Sequence, residues 1–406
     1  MGTARQLERL RGVLAAIETA NRFYAPRLVA AGVSSALGSL AEFSARMPFT
    51  TKADLVADQA ANPPFGSNLT DPLTRYTRFC QTSGTTGRPL VILDTPESWE
   101  WLLGNWTHIY RAAAIVPGDR LYFAFSFGPF LGFWTAYDAA AKLGFLCIPG
   151  GGLGTAARVR AIVQHGATVL CCTPTYALHL GEVAAREDID LRTSSVRIVM
   201  VAGEAGGSVP EVRAKISAMW NGARVVDHYG MTEVGPVAFQ ESEDVLRVIE
   251  DSYIAEIVDP VSGEAVPEGE AGELVLTTLG RTACPLLRYR TGDLVRRIPA
   301  APGFALAGGI IGRADDMIVV RGVNLYPSGV DAVLHRVAEI AEYRVEVIRR
   351  GALVEIEVTI ESADDGAARR AEGALASAFS LRIPVRRVEP GSLPRFEMKA
   401  RRWITR

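Results

Sequence analysis

The segment Thr82-Ser83-Gly84-Thr85-Thr86-Gly87-Arg88-Pro89 concentrates hydroxyls, two glycines and a guanidinium in one stretch. Glycines let a backbone turn tightly and approach an anion, while hydroxyls and N–H groups supply donors. Arg88 adds a planar cation suited to phosphate oxygens. The spacing is not that of a Walker loop, which needs G-x-x-x-x-G-K-[ST]. A polar turn between two strands is the alternative for these residues, because 90–93 reads as extended,. A second glycine pattern, Gly152-Leu153-Gly154-Thr155-Ala156-Ala157, fits G-x-G-x-x-A ahead of a helix. It lacks the acidic residue a dinucleotide site needs about 20 positions on, and it reads as a tight turn. The five cysteines (Cys80, Cys147, Cys171, Cys172 and Cys284) form no C-x-x-C pair and no cluster with histidine. Cys147, Cys171 and Cys172 sit in apolar runs and read as small hydrophobes.

Such loops need elements to carry them. From about residue 121 the chain repeats strand, glycine, helix. Short apolar runs at 121–125, 145–148, 169–172, 196–201 and 224–226 read as parallel strands buried on both faces,. Helical segments at 155–164 and 210–220 separate them, which predicts a doubly wound α/β body. After Glu241 the texture shifts to short alternating strands with turns at Asp259-Pro260 and Ser262-Gly263, a β-rich subdomain over about 242–311,. A third section starts at Gly312. Val354, Ile356, Val358 and Ile360 share one strand face, a helix follows over 367–378, and another strand comes after,. The expected division is therefore a body over 1–311 and a small, mobile α+β domain over 312–406. At the start, Leu7, Leu10, Leu14 and Ile17 fall at helical spacing, and the apolar run 13–17 is too short for a signal peptide,.

With 406 residues, 48% hydrophobic and 22% charged, the chain is globular rather than disordered,. A net charge of −2 with interspersed signs points away from nucleic acid and toward a small-molecule partner,. No apolar stretch of about 18 residues exists to span a membrane,. The cysteine usage fits a reducing cytoplasm, and a monomer or homodimer is expected.

Several further segments complete a pattern. Asp227-His228-Tyr229-Gly230-Met231-Thr232-Glu233, Tyr289-Arg290-Thr291-Gly292-Asp293, Gly312-Arg313-Ala314-Asp315-Asp316 with Arg321-Gly322, and Lys399 after Pro394-Arg395-Phe396-Glu397-Met398 follow the glycine-hydroxyl loop in order. In this order they resemble the motifs of the adenylate-forming enzymes: acyl-CoA synthetases, adenylation domains and luciferases. Residues 321–327 and 125–130 are most similar to the phenylacetate-CoA ligase branch. The resemblance implies ATP and Mg²⁺ as cofactors, coenzyme A as co-substrate, and an acyl-AMP intermediate. It implies that Ser83, Gly84, Thr85, Thr86, Gly87 and Arg88 cradle phosphates and that Tyr229 stacks on adenine, flanked by Asp227 and Gly230. Thr232 would bind the α-phosphate, Glu233 would hold Mg²⁺, and Asp293 would accept from the ribose hydroxyls with Arg313 nearby. Gly203 and Glu204 would line the adenine and acid pockets. Lys399 would bridge acid and phosphate in the transition state, and Asp315 would be the hinge.

The chain departs from the family pattern in places. Arg88 stands where a lysine is usual, and Met398 where glycine precedes the lysine. Gln240-Glu241-Ser242 lacks the cysteine that some relatives use for zinc, so no zinc is expected,. Phe127 and Phe130 are expected to wall the acid pocket, while Phe125, Phe133 and Trp134 read as core. His228 either meets the substrate carboxylate or packs at a strand end. The expected function is an aryl-CoA ligase, AMP-forming. Delivery to a carrier-protein thiol or an amine is the alternative, and a silent nucleotide-binding protein is a third reading, disfavoured by Glu233, Asp293 and Lys399 together.

Overall fold

The computed structural model describes residues 3–82, 89–204, 206–299, 303–314, 316, 318–321, 323–350, 353–396 and 400–405. Residues Ser83, Gly84, Thr85, Thr86, Gly87, Arg88, Asp315 and Lys399 lie outside the described residues.

The largest sheet runs through strands Ala305–Ala307, Val245–Val248, Gly235–Ser242, Arg224–Met231, Ile198–Val201, Val169–Cys172, Arg120–Phe123 and Leu146–Pro149, in that spatial order. From Arg224–Met231 to Leu146–Pro149 all neighbours are parallel, and toward Ala305–Ala307 they are antiparallel. Parallel neighbours require crossovers. Helices Leu131–Lys142, Thr155–Gln164, Pro174–Arg186 and Pro210–Met219 supply them. Thr173 caps one of these helices by accepting from the Tyr176 N–H at 3.2 Å, and Pro174 occupies its first position,.

Every residue of Val169–Cys172 and Ile198–Val201 is buried, as strands covered on both faces must be,. Trp106, Ile109, Phe123, Cys171 and Met200 pack on the face covered by helices Pro96–Ala112 and Leu131–Lys142. Leu170, Leu180, Val199, Ile216 and Trp220 fill the opposite face. Leu146–Pro149 differs from its expected burial: it is the outer strand, and Leu146 is 59% exposed. An apolar run does not reveal whether a strand has one neighbour or two.

Strands Tyr253–Val258, Ala271–Thr278, Tyr289–Arg296 and Gly312–Arg313 form an antiparallel sheet. Helix Thr3–Ile17 buries Leu10, Val13, Leu14 and Ile17 in the core shared with it. A small C-terminal domain has its own core, which includes Val330, Val345, Ile356 and Leu375. Its sheet runs Val385–Val388, Leu353–Glu361, Glu342–Arg350, Trp403–Thr405, backed by helices Pro327–His335 and Ala367–Phe379. Trp403 pairs opposite Val345 and donates to Asp331 at 3.0 Å, which anchors the chain just beyond residue 399.

Trp220 is fully buried and donates through Nε1 to the Ala177 carbonyl at 3.1 Å. Replacing it with alanine leaves a large cavity beside the parallel sheet, and Trp220→Ala should cost about 3–5 kcal/mol in urea unfolding. A loss under about 1 kcal/mol would contradict this account of the core.

Candidate active site

Asp293 lies where the two sheets of the body meet the start of the small domain. It pairs in register with Arg313 across antiparallel strands. Arg313 Nη1 donates to its Oδ1 at 3.0 Å, and the Tyr229 hydroxyl donates to its Oδ2 at 2.6 Å. Only 6% of Asp293 is exposed. Burial pushes its carboxyl up, while the Arg313 guanidinium and the Tyr229 hydroxyl pull it back down,. The Arg313 guanidinium passes so close over Gly292 that a Cβ there would meet Nη2 at 2.6 Å, and Gly292 has φ +75°. Only glycine meets both demands. Gly230 is held by contact as well: an added Cβ would meet the Gly235 carbonyl at 2.7 Å.

Thr232 and Glu233 occupy the turn between strands Arg224–Met231 and Gly235–Ser242. The turn is fixed from beneath. Arg281 donates to the carbonyls of Glu233 at 2.7 Å and Thr232 at 3.3 Å, and it forms a two-pronged pair with Asp94. Both charged side chains are fully buried. The Glu233 carboxylate accepts from the Tyr289 hydroxyl at 3.4 Å and meets the Lys52 ammonium at 3.2 Å. The carboxylate expected to hold a cation thus already has one cationic partner, Lys52.

At the other end of the site, His228 faces the aromatic core, edge-on to Trp106 with centroids 4.8 Å apart. Burial pushes its imidazole down to about 4, so it is neutral at pH 7, and its Nδ1 has no hydrogen-bond partner among the described residues,. Phe127 packs on Phe125, Trp134 and Tyr137 with centroids 5.2–5.3 Å apart. Its φ of +50° is a strained conformation for a side chain with a Cβ, worth about 1–2 kcal/mol,. Phe130 is half-buried and precedes helix Leu131–Lys142. The Pro129 carbonyl accepts from the Gln81 N–H at 2.7 Å, which ties this aromatic turn to the end of strand Arg78–Gln81. Thr82 and Leu90, on either side in sequence of residues 83–88, share two bonds of 3.0 Å each.

Asp227 points to the sheet face opposite His228. It accepts from Ser208, and burial pushes its carboxyl up to about 7. Gly203 follows strand Ile198–Val201 with φ +92°. The Glu204 carboxylate accepts from the N–H groups of Thr175 and Ala400, each at 2.8 Å.

The fold therefore gathers Tyr229, Asp293 and Arg313 into one hydrogen-bonded group, with Glu233 next to it through Tyr289. Asp227 lies apart from that group. Lys52, Asp94 and Arg281 carry no motif in the sequence. Asp94 and Arg281 are 187 positions apart, and their pairing is set only by the tertiary fold.

Residues 52–281 match the family described as AMP-binding enzyme, and 322–406 match its C-terminal domain. The chain belongs to the AMP-binding enzyme family. Among similar members, the phenylacetate-coenzyme A ligase of Pseudomonas putida is 33% identical over 88% of this chain and 81% of its own. That of Escherichia coli K12 is 33% identical over 87% and 83%. Crystal structures of 2-hydroxyisobutyryl-CoA ligase, 31–32% identical, cover 99% of this AMP-binding enzyme and 89% of their own chains. The TM-score is 0.91 for that ligase's postadenylation state and 0.74 for its thioesterification state.

Removing the guanidinium beneath the Thr232–Glu233 turn strands a buried carboxylate. Arg281→Met should cost about 3–5 kcal/mol in chemical unfolding, and adding Asp94→Leu should restore much of that loss. A single variant as stable as the native chain would show that the pair does not hold the turn.

Proposed function

We propose that this enzyme activates an aromatic carboxylic acid with ATP and transfers the acyl group to coenzyme A. A carboxylate oxygen of the acid attacks the α-phosphorus, and pyrophosphate leaves. The thiol of coenzyme A then attacks the carbonyl carbon of the acyl-AMP, expelling AMP and releasing its proton to solvent. The observation that carries this reading is the Tyr229–Asp293–Arg313 group beside Glu233, at the meeting point of the body and the small domain.

Tyr229 offers an aromatic face to adenine, with Gly230 and Gly203 near it. Asp227 lies apart, bonded to Ser208, and Glu204 spends its oxygens on the Thr175 and Ala400 N–H groups rather than on the nucleotide. Asp293 accepts from the ribose hydroxyls. Each of its oxygens can accept twice, so the bonds from Tyr229 and Arg313 leave capacity for them. Thr232 meets the α-phosphate, and the 83–88 loop meets the leaving pyrophosphate. Glu233 suits Mg²⁺, an ion that takes one or two carboxylates and fills its remaining positions with phosphate and water oxygens. Bound there, Mg²⁺ neutralises charge on the phosphates. Lys399 stabilises the charge that builds between acid and α-phosphate. The two half-reactions need different surroundings at one centre. A small domain over 312–406 rotating on Asp315 against the 1–311 body meets that need.

The acid is read as aromatic because an aromatic ring would gain edge-to-face contact with Phe127, which belongs to a cluster with Phe125, Trp134 and Tyr137, and with half-buried Phe130,. The similarity to phenylacetate-CoA ligases supports the same class.

A pyrophosphate-release screen over acids, with and without coenzyme A, tests the function. Small aromatic acids should lead, with thioester appearing only when coenzyme A is present, and a preference for fatty acids of about 12 carbons or more would overturn the aromatic assignment. Lys399→Ala should slow adenylation by about 100-fold or more and leave thioester formation from supplied acyl-AMP nearly intact. Adenylation at the native rate would remove Lys399 from the first step.

A further inference from the structure

Lys399 acts only if its segment is held against the body, and both flanks of that segment end on carboxylates of the body. On one side the Ala400 N–H donates to Glu204 Oε2 at 2.8 Å, while Oε1 accepts from Thr175 in the first turn of helix Pro174–Arg186. On the other, Arg395 Nε donates at 3.0 Å to Glu182, which lies on that same helix. The remaining nitrogens of Arg395 bond Glu361 at 2.8 and 3.1 Å. Glu361 has a fully buried side chain and also accepts from the Gly391 and Leu393 N–H groups. Arg395 is thereby fixed inside the small domain and reaches outward to Glu182.

We propose that Glu182 and Glu204 are positioning residues, two latches that hold the small domain in the acid-activating arrangement and open for the second half-reaction. This deepens the acid-activating reading and rests on it. The arrangement that carries these contacts resembles a related ligase in its postadenylation state (0.91) more than in its thioesterification state (0.74). Both latches are suited to reversible use. Glu204 keeps its bond to Thr175 and Arg395 keeps its bonds to Glu361 when the domain leaves, so each side stays organised and only one charge-assisted bond per latch is exchanged for water. Two further contacts between the body and the small domain, Arg336 to Glu211 at 3.4 Å and Lys215 to the Ile340 carbonyl at 3.5 Å, are longer.

Single-turnover kinetics on Glu182→Gln, Glu204→Gln and the double variant test this. Pyrophosphate release should slow by about 10-fold in each single variant and about 100-fold in the double. Thioester formation from supplied acyl-AMP and coenzyme A should stay at the native rate or rise. Equal slowing of both steps would overturn the proposal, as would an unchanged double variant. Small-angle X-ray scattering reads the arrangement without any chemistry. A native profile that fits this structure and a double variant that departs from it support the latches, and identical profiles refute them. If no acid releases pyrophosphate with the native chain, the functional reading fails, and the scattering still decides the latches.

Discussion

A buried carboxylate is expensive unless it is paired and hydrogen-bonded, and Asp293 is the one around which this site is built. Its carboxylate partners come from two places, Tyr229 from the large sheet and Arg313 from the last strand of the antiparallel sheet, while the Asp293 N–H donates to the Thr291 hydroxyl at 3.0 Å. Satisfying that carboxylate ties strand Arg224–Met231 of the large sheet to strands Tyr289–Arg296 and Gly312–Arg313 of the antiparallel one. It also dictates local sequence, since the guanidinium that pairs with Asp293 leaves no room for a Cβ at Gly292. One polar requirement thus sets both packing and the position of the residues read as nucleotide ligands.

Around that centre, rigidity falls off in a useful order. The central parallel strands Val169–Cys172 and Ile198–Val201 are buried throughout and support Arg224–Met231, which carries His228 and Tyr229. The adjacent Thr232–Glu233 turn has no such packing and is pinned by the Arg281–Asp94 pair instead. Strain is stored at Phe127, held by its aromatic neighbours. Ala400 and Arg395 each meet the body through a single bond, at Glu204 and Glu182. A centre that must serve two reactions needs this gradient: fixed groups for the nucleotide, exchangeable ones for the lysine.

Much of the fold was legible from short-range chemistry. Apolar runs punctuated by glycine mark Val169–Cys172 and helix Thr155–Gln164 at their observed ends, and alternation marks Leu353–Glu361. The outer position of Leu146–Pro149 was not legible, because strand order is a long-range property. In the site, Tyr229, Asp293 and Arg313 stand out through motifs, yet their mutual bonds span 64 and 20 positions and appear only on folding. Arg281, Asp94 and Lys52 look like ordinary surface charges in the sequence. Burial and proximity, rather than residue type, give them their roles. The place of Glu204 just after a strand was legible, whereas its bond to Ala400 spans 196 positions and depends on the tertiary fold.

The central claim is that the acid is activated through its own oxygen on the α-phosphorus of ATP, and isotope transfer tests it most directly. With an aromatic acid labelled in both carboxylate oxygens with ¹⁸O, the AMP released after thioester formation should carry one ¹⁸O atom, detected by mass spectrometry. Label in inorganic phosphate with ADP as the nucleotide product, or AMP free of label, would contradict the account.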